Sequence, residues 1–319
     1  MKNNLVISAQ GFSDENTANI IANFTATLIK ELVKQTQLNI SKLKRVLISC
    51  DFESALADIA KEYGHESSSF TNNKQSVAIA QLLSKLTDNG LYSEFTLVLS
   101  VEFFYDLFNK DGSISLDHTS NIIHMMHHEL IHIHEKNESR LDAGKLVDEY
   151  DDAILMTSTR SWSEFLANYM SAQTSTPKLI KMQLSSLETA LIDIPKEIKS
   201  LVNRYKVGLL SLDEMYFNVK NKVKLIANLY GYAFGYMSSI KIEPNLYPPS
   251  LLDLLENTKL SSLLKKLAES FLELKDIFYQ GKLSDYEMFE NANKTIHSIY
   301  KLFGLTLDRQ QGTLYIHVD

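Results

Sequence analysis

Residues 124–135 read HMMHHELIHIHE and hold five of the nine histidines in this chain of 319 residues. On a helix, side chains four apart share a face, so His128 and His132 stand one turn apart. Their ring nitrogens can then converge on one ion at roughly 2 Å each. Glu129 follows directly and completes a His-Glu-x-x-His pattern. A glutamate at that position cannot reach the same ion from its own direction, but it can face a water bound there and take its proton, as in zinc hydrolases. The other histidines fail this test. His124 lies two turns from His132, about 12 Å along the axis; His134 points nearly opposite to His132; His127 is rotated by about 100° from His128. These three read as polar residues on the exposed or partly buried helix surface.

The pair needs a helix to carry it. The segment LDHTSNIIHMMHHELIHIHEKN begins with capping residues and sets Ile122, Met126, Leu130 and Ile133 on one apolar side, which predicts an amphipathic helix of about five turns. Residues 1–117 read as mixed α/β. A strand at NLVISA precedes a helix announced by SDEN, with Ile20, Phe24, Leu28 and Leu32 at intervals of four. Apolar or β-branched runs then predict strands at 45–51, 76–82 and 94–104, and NKDGS at 109–113 supplies a turn. Beyond Asp117 the pattern is almost wholly helical, broken by a polar stretch around 136–161 and by EPNLYPPS at 243–250, whose prolines cannot continue a helix. The fold class expected is α+β, with a small sheet in the first half and helices in the second. Three regions follow: 1–138, ending in the histidine helix; 139–243, helical; and 250–319, an accessory helical region with leucines at spacings of three and four.

A third ligand must come from another element. In WSEFLANYMSA, Glu164 lies 32 residues beyond His132 and heads a helical stretch. A carboxylate from it completes a two-histidine, one-glutamate shell for one zinc per chain and leaves the fourth position for water. Asn168, one turn on, can accept the outer N–H of a ligating imidazole, and Ala167 is small enough for close helix contact. The competing carboxylates Asp142, Asp148, Glu149, Asp151 and Asp152, most of them in VDEYDD, read as a solvated loop. A third histidine at metzincin spacing is absent, because Glu135 and Glu138 stand in those places.

HELIH followed by EFLAN resembles the gluzincin type of zinc metallopeptidase, in which Glu-x-x-Ala on a second helix follows the His-Glu-x-x-His motif. The resemblance covers about 118–171. It implies a zincin-like fold, with Glu164 as third ligand and Asn168 behind the ligands. EFLANYMSA is also similar to the ImmA/IrrE-type peptidases, although Ile131 stands where those proteins often carry glycine and the segment between the motifs is longer, so the family within the group stays open.

Peptide hydrolysis then has Glu129 as general base, acting on a peptide or protein substrate. Strand 95–104 is the candidate edge along which that substrate adds. Tyr230, Tyr232 and Tyr236, in LYGYAFGYM, are candidate donors to the oxyanion, although aromatics so spaced more often belong to a core. The alternative is a regulatory or binding module with a structural or vestigial metal, against which the presence of Glu129 argues. A formal charge of −7 gives no basic footprint for nucleic acid. The lone Cys50 cannot form an internal disulfide, no leader pattern opens the chain and no apolar run nears the roughly 20 residues of a membrane span, so a cytoplasmic location is expected.

Overall fold

The computed structural model describes residues 5–65, 72–73, 76–77, 79–109, 115, 119–145 and 148–319. Its packing divides into two units, Met1–Gly144 and Lys145–Asp319. Together they make an α+β chain with a small mixed sheet and a mostly helical second half.

In the first unit β1 (Val6–Gln10) leads into α1 (Glu15–Thr36). The carboxylate of Asp14 accepts the N–H groups of Asn16 and Thr17 at 3.3 and 2.9 Å, satisfying donors that the first helical turn leaves open. The deepest stripe of α1 is Ile21, Thr25, Ile29 and Leu32, while Ile20, Phe24 and Leu28 sit half-buried beside it. Thr25, a polar residue, thus occupies a core position that hydrophobicity alone assigns to its neighbour. Next come β2 (Leu43–Ser49), α2 (Phe52–Glu62), a short hairpin of β3 (Asn72–Asn73) and β4 (Ser76–Val77), then β5 (Ala80–Leu86), β6 (Tyr92–Ser100) and α3 (Thr119–Glu138). The strand expected at 76–82 is therefore split between β4 and β5, which begins at Ala80. The one expected to reach residue 104 ends at Ser100 and turns into a 3-10 helix, Val101–Leu107. The turn expected at NKDGS, from Lys110 on, and the capping residues before Thr119 lie outside the described residues.

The sheet order is β1-β2-β6-β5, parallel except for β5, which runs antiparallel to β6. β6 is consequently internal, hydrogen-bonded on both sides, and cannot be the edge that a substrate would extend. That position belongs to β5, which among the described residues pairs only with β6. Side chains alternate across a sheet. Leu47, Leu83 and Val98 meet Ala55, Leu56 and Ile59 of α2 on one face, so Val46, Ile48, Leu97 and Leu99, all of them buried, point to the other. α3 packs against β5, β6 and α1.

The second unit contains α4 (Glu149–Ala153), α5 (Leu155–Ser171), α6 (Pro177–Lys206), α7 (Leu212–Ser239), α8 (Leu251–Glu256), α9 (Lys259–Tyr279), α10 (Glu290–Leu302), β7 (Leu305–Gln310) and β8 (Thr313–Val318). The break at 243–250 is present, as a short 3-10 turn at Pro244–Leu246 between α7 and α8. Helix stops at Leu302, however, and the chain ends in an antiparallel hairpin. Gln311 and Gly312 both have positive φ, 50° and 80°, which is the two-residue turn that matches strand twist. The alternation Leu314, Ile316, Val318 after that glycine is the signal that a helical reading of 250–319 passes over. Among the described residues no helix is long and apolar enough to cross a membrane.

Candidate metal centre

α3 buries Ile122, Met126, Leu130 and Ile133 completely, as its periodicity predicts. This fixes the rotation of the helix and thereby the flank that carries His128 and His132. Its C-terminal end is held by Asn39: the Asn39 N–H donates to His134 Nδ1 (2.9 Å), the Asn39 amide to Glu138 (2.8 Å), and Asn137 to the Asn39 carbonyl (2.8 Å). Burial lowers the pKa of His134, and the accepted N–H requires Nδ1 to be unprotonated. His124 and His127 are 4% and 3% exposed, core residues rather than surface ones, and burial together with the neighbouring His128 pulls His127 down to about 4.

His128 and His132 meet edge to face, with ring centroids 4.7 Å apart and Nε2 atoms 3.0 Å apart. Two nitrogens each roughly 2.05 Å from one tetrahedral ion stand about 3.3 Å apart, so the rings are spaced as a shared ion requires. A plain N–H···N hydrogen bond has the same spacing, and the pair alone identifies nothing. A third donor makes the set one that could hold an ion. The ligand atoms of His128, His132 and Glu164 all lie within 4.8 Å of one another, and among the described residues no other trio of His, Cys, Asp or Glu side chains converges this way. Two imidazole nitrogens and one carboxylate oxygen suit zinc, and also other first-row divalent ions. Glu129 is half-buried on the same helix, next to His128.

Glu164 does not head its helix. α5 begins at Leu155, so the glutamate lies in its third turn. The polar run that reads as a loop is helical, and its buried hydroxyls are satisfied by bonding back one turn: Thr157 to the Ala153 carbonyl (2.7 Å), Ser158 to Ile154 (2.9 Å) and Ser161 to Thr157 (2.7 Å). Close packing on α7 sets the position of α5. A Cβ on Gly231 would stand 2.2 Å from the Ser161 carbonyl oxygen, and one on Gly235 would stand 2.7 Å from both Asn168 Cβ and the Phe165 carbonyl oxygen. The buried Asn168 donates to the Tyr232 carbonyl at 3.0 Å, tying the two helices together just beyond Glu164. Trp162 packs edge-on against Phe278 and Phe289, and Phe165 stacks on Phe234 of α7 and Phe271 of α9.

Three of the competing carboxylates, Asp148, Asp151 and Asp152, are engaged elsewhere. Residues 149–153 form α4 rather than a solvated loop. Arg309 reaches Asp148 and Asp151, each at 2.6 Å, and lies 5.0 Å from the Tyr150 ring centroid. Lys220 and Lys224 reach Asp152 at 2.8 and 2.7 Å. Burial alone would raise the Asp152 pKa, but these two lysines hold it below the usual carboxylate value.

Of the tyrosines, Tyr230 is buried, stacks on Phe234 at 5.6 Å, and has its pKa raised by burial. Burial likewise pushes Tyr236 up to about 12. Tyr232 is half-buried. Glu135 is the residue that motif reading undervalues. It is 6% exposed, and its Oε2 lies 3.8 Å from His132 Nδ1. Its spacing of three from His132, on one helix, was the available signal.

No protein-family model, curated protein or solved structure matches the chain. The donors and the elements that hold them therefore carry the functional argument alone.

Proposed function

We propose that this chain is a zinc-dependent metallopeptidase of zincin-like architecture, with one ion held by His128, His132 and Glu164. The observation that carries the reading is the convergence of these three donors, two of them on a helix where Glu129 directly follows the first. When bound, the ion supplies an acidified water and polarises the carbonyl under attack. Glu129 takes the proton of that water and returns it to the departing amine. Asn168, already fastened to α7 through its amide nitrogen, steadies the turn that bears Glu164. The peptide lies along β5, which packs against α3 and stands at one edge of the sheet. Because Tyr230 and Tyr236 belong to the core, Tyr232 is the tyrosine proposed to donate to the oxyanion. A cytoplasmic setting belongs to the same proposal, since the lone, exposed Cys50 suits a reducing compartment.

Elemental analysis of the purified chain should find one zinc per molecule. Glu129→Gln should keep the metal and abolish cleavage of a generic peptide library, whereas His128→Ala should lose both. Full turnover by Glu129→Gln would remove the peptidase reading. An ion that stays bound in every variant, with no cleavage even by the parent chain, would favour a structural metal.

A further inference from the structure

We infer that Glu135 is a positioning residue for the metal centre, acting through the outer nitrogen of His132. The inference rests on the metal reading above and adds a residue to it. The two Nε2 atoms of His128 and His132 face each other at 3.0 Å, so His132 turns its Nδ1 the other way, and there Glu135 Oε2 stands at 3.8 Å. An imidazole that binds an ion through Nε2 carries its proton on Nδ1. That N–H then needs an acceptor, and metal-bound histidines almost always give it to a carboxylate, a carbonyl or water. At 3.8 Å the contact is too long for a hydrogen bond. A small side-chain rotation closes it, because both groups sit on one helix three residues apart.

The burial of Glu135 argues the same way. Its side chain is 7% exposed, and a carboxylate taken out of water is costly unless cations or donors surround it. Lys136 Nζ lies 3.9 Å from the same oxygen, on a side chain 27% exposed. His132 Nδ1 faces that oxygen as well. With an ion bound, its imidazole becomes a stronger N–H donor, and Glu135 makes it a better ligand in return. Glu135 also holds the ring in the orientation that the pair with His128 requires. Glu135 neither touches substrate nor bonds to the ion, so its effect should appear first in metal affinity.

The test is zinc affinity of the full chain, measured by competition with a chromophoric chelator, with apo-protein unfolding followed in parallel. Glu135→Gln, which keeps size and an acceptor but loses charge, should weaken zinc about 10-fold, and Glu135→Ala by up to about 100-fold. Glu135→Asp should recover part of the loss. In a His132→Cys background, which keeps a metal ligand but has no outer N–H, Glu135→Gln should change zinc affinity by less than about twofold, because the coupling partner is gone. A structural role would lower apo stability and weaken zinc equally in both backgrounds, and that result overturns the inference. Unchanged affinity in Glu135→Gln overturns it too, while leaving the three-ligand centre standing. If the parent chain takes up no zinc, the metal reading itself fails. Should Glu135→Ala not fold, Glu135→Gln and its His132→Cys partner still decide the matter.

Discussion

α3 and α5 are positioned by different physics. α3 contributes two donors whose spacing is a property of any α-helix, so its surroundings need only set its rotation and anchor its end. They do so with an apolar stripe from Ile122 to Ile133 and the polar clasp of Asn39. α5 contributes a single donor, and no local rule places Glu164. Its position depends on backbone-to-backbone approach with α7 at Gly231 and Gly235, and on the aromatic packing of Trp162 and Phe165. A shift of α3 as a unit leaves the spacing of its two histidines intact. No such local rule protects the place of Glu164.

The largest effect should therefore come from the α5–α7 contact. Gly231→Ala puts a methyl group 2.2 Å from the Ser161 carbonyl oxygen, a backbone atom that cannot swing aside. Overpacking of this kind costs about 1–3 kcal/mol, and a clash with backbone belongs at the upper end. Denaturant unfolding should show that loss, and zinc affinity should fall with it as Glu164 is carried away. Wild-type stability and affinity in this variant would mean that α7 does not set α5.

A smaller effect is expected at the α3 clasp. His134→Ala removes the acceptor of the Asn39 N–H, and a part-buried donor left without its partner costs about 1–2 kcal/mol. Stability should drop by that much. Zinc affinity should fall by less than about 10-fold, because helix geometry and not the clasp sets the spacing of His128 and His132. A loss of affinity as large as that in Gly231→Ala would erase the distinction between the two helices.

The same contrast explains what could be read without coordinates. The His128–His132 relation is local, so residue types and a period of 3.6 suffice to see it, and the buried stripe of α3 was equally legible. Glu164 emerges only because its neighbours resemble a known pattern; nothing in residues 139–163 reveals that α5 starts at Leu155, since hydroxyl-rich helices that bond back on themselves look like loops. The internal place of β6 was illegible for another reason. Strand propensity says which residues are extended, but strand order arises from pairing between β2 and β6, at positions some fifty residues apart (Arg45 with Thr96). Likewise the acidic run at 148–152 looks solvated until Arg309, Lys220 and Lys224 are brought to it from far along the chain.

That acidic run gives the smallest effect and the finest test of the comparison. Arg309 joins β7 to Asp148 and Asp151 just ahead of α5, so it steadies the start of the helix that carries Glu164 without touching the α7 contact. Its side chain is 40% exposed, which limits such pairs to about 1 kcal/mol or less. Burial works to raise the Asp148 pKa, but the Arg309 guanidinium and the Asp151 N–H more than reverse this and hold it below 3.8. A carboxylate depressed in the folded state stabilises the fold fully above its unfolded pKa, near 4. The contribution disappears as pH falls through the folded value, because there both states hold the proton. Arg309→Ala should therefore lower stability by up to about 1 kcal/mol at pH 7, and the difference from wild type should shrink toward zero as pH falls below about 4. Raising salt at pH 7 should shrink it as well, since an exposed pair is screened. Zinc affinity should stay within about twofold of wild type, because the position of Glu164 is set by α7 and only steadied by the hairpin. A pH-independent loss would assign the residue to packing over Tyr150 instead of to charge, and a large fall in zinc affinity would show that the start of α5, rather than its contact with α7, governs the third ligand.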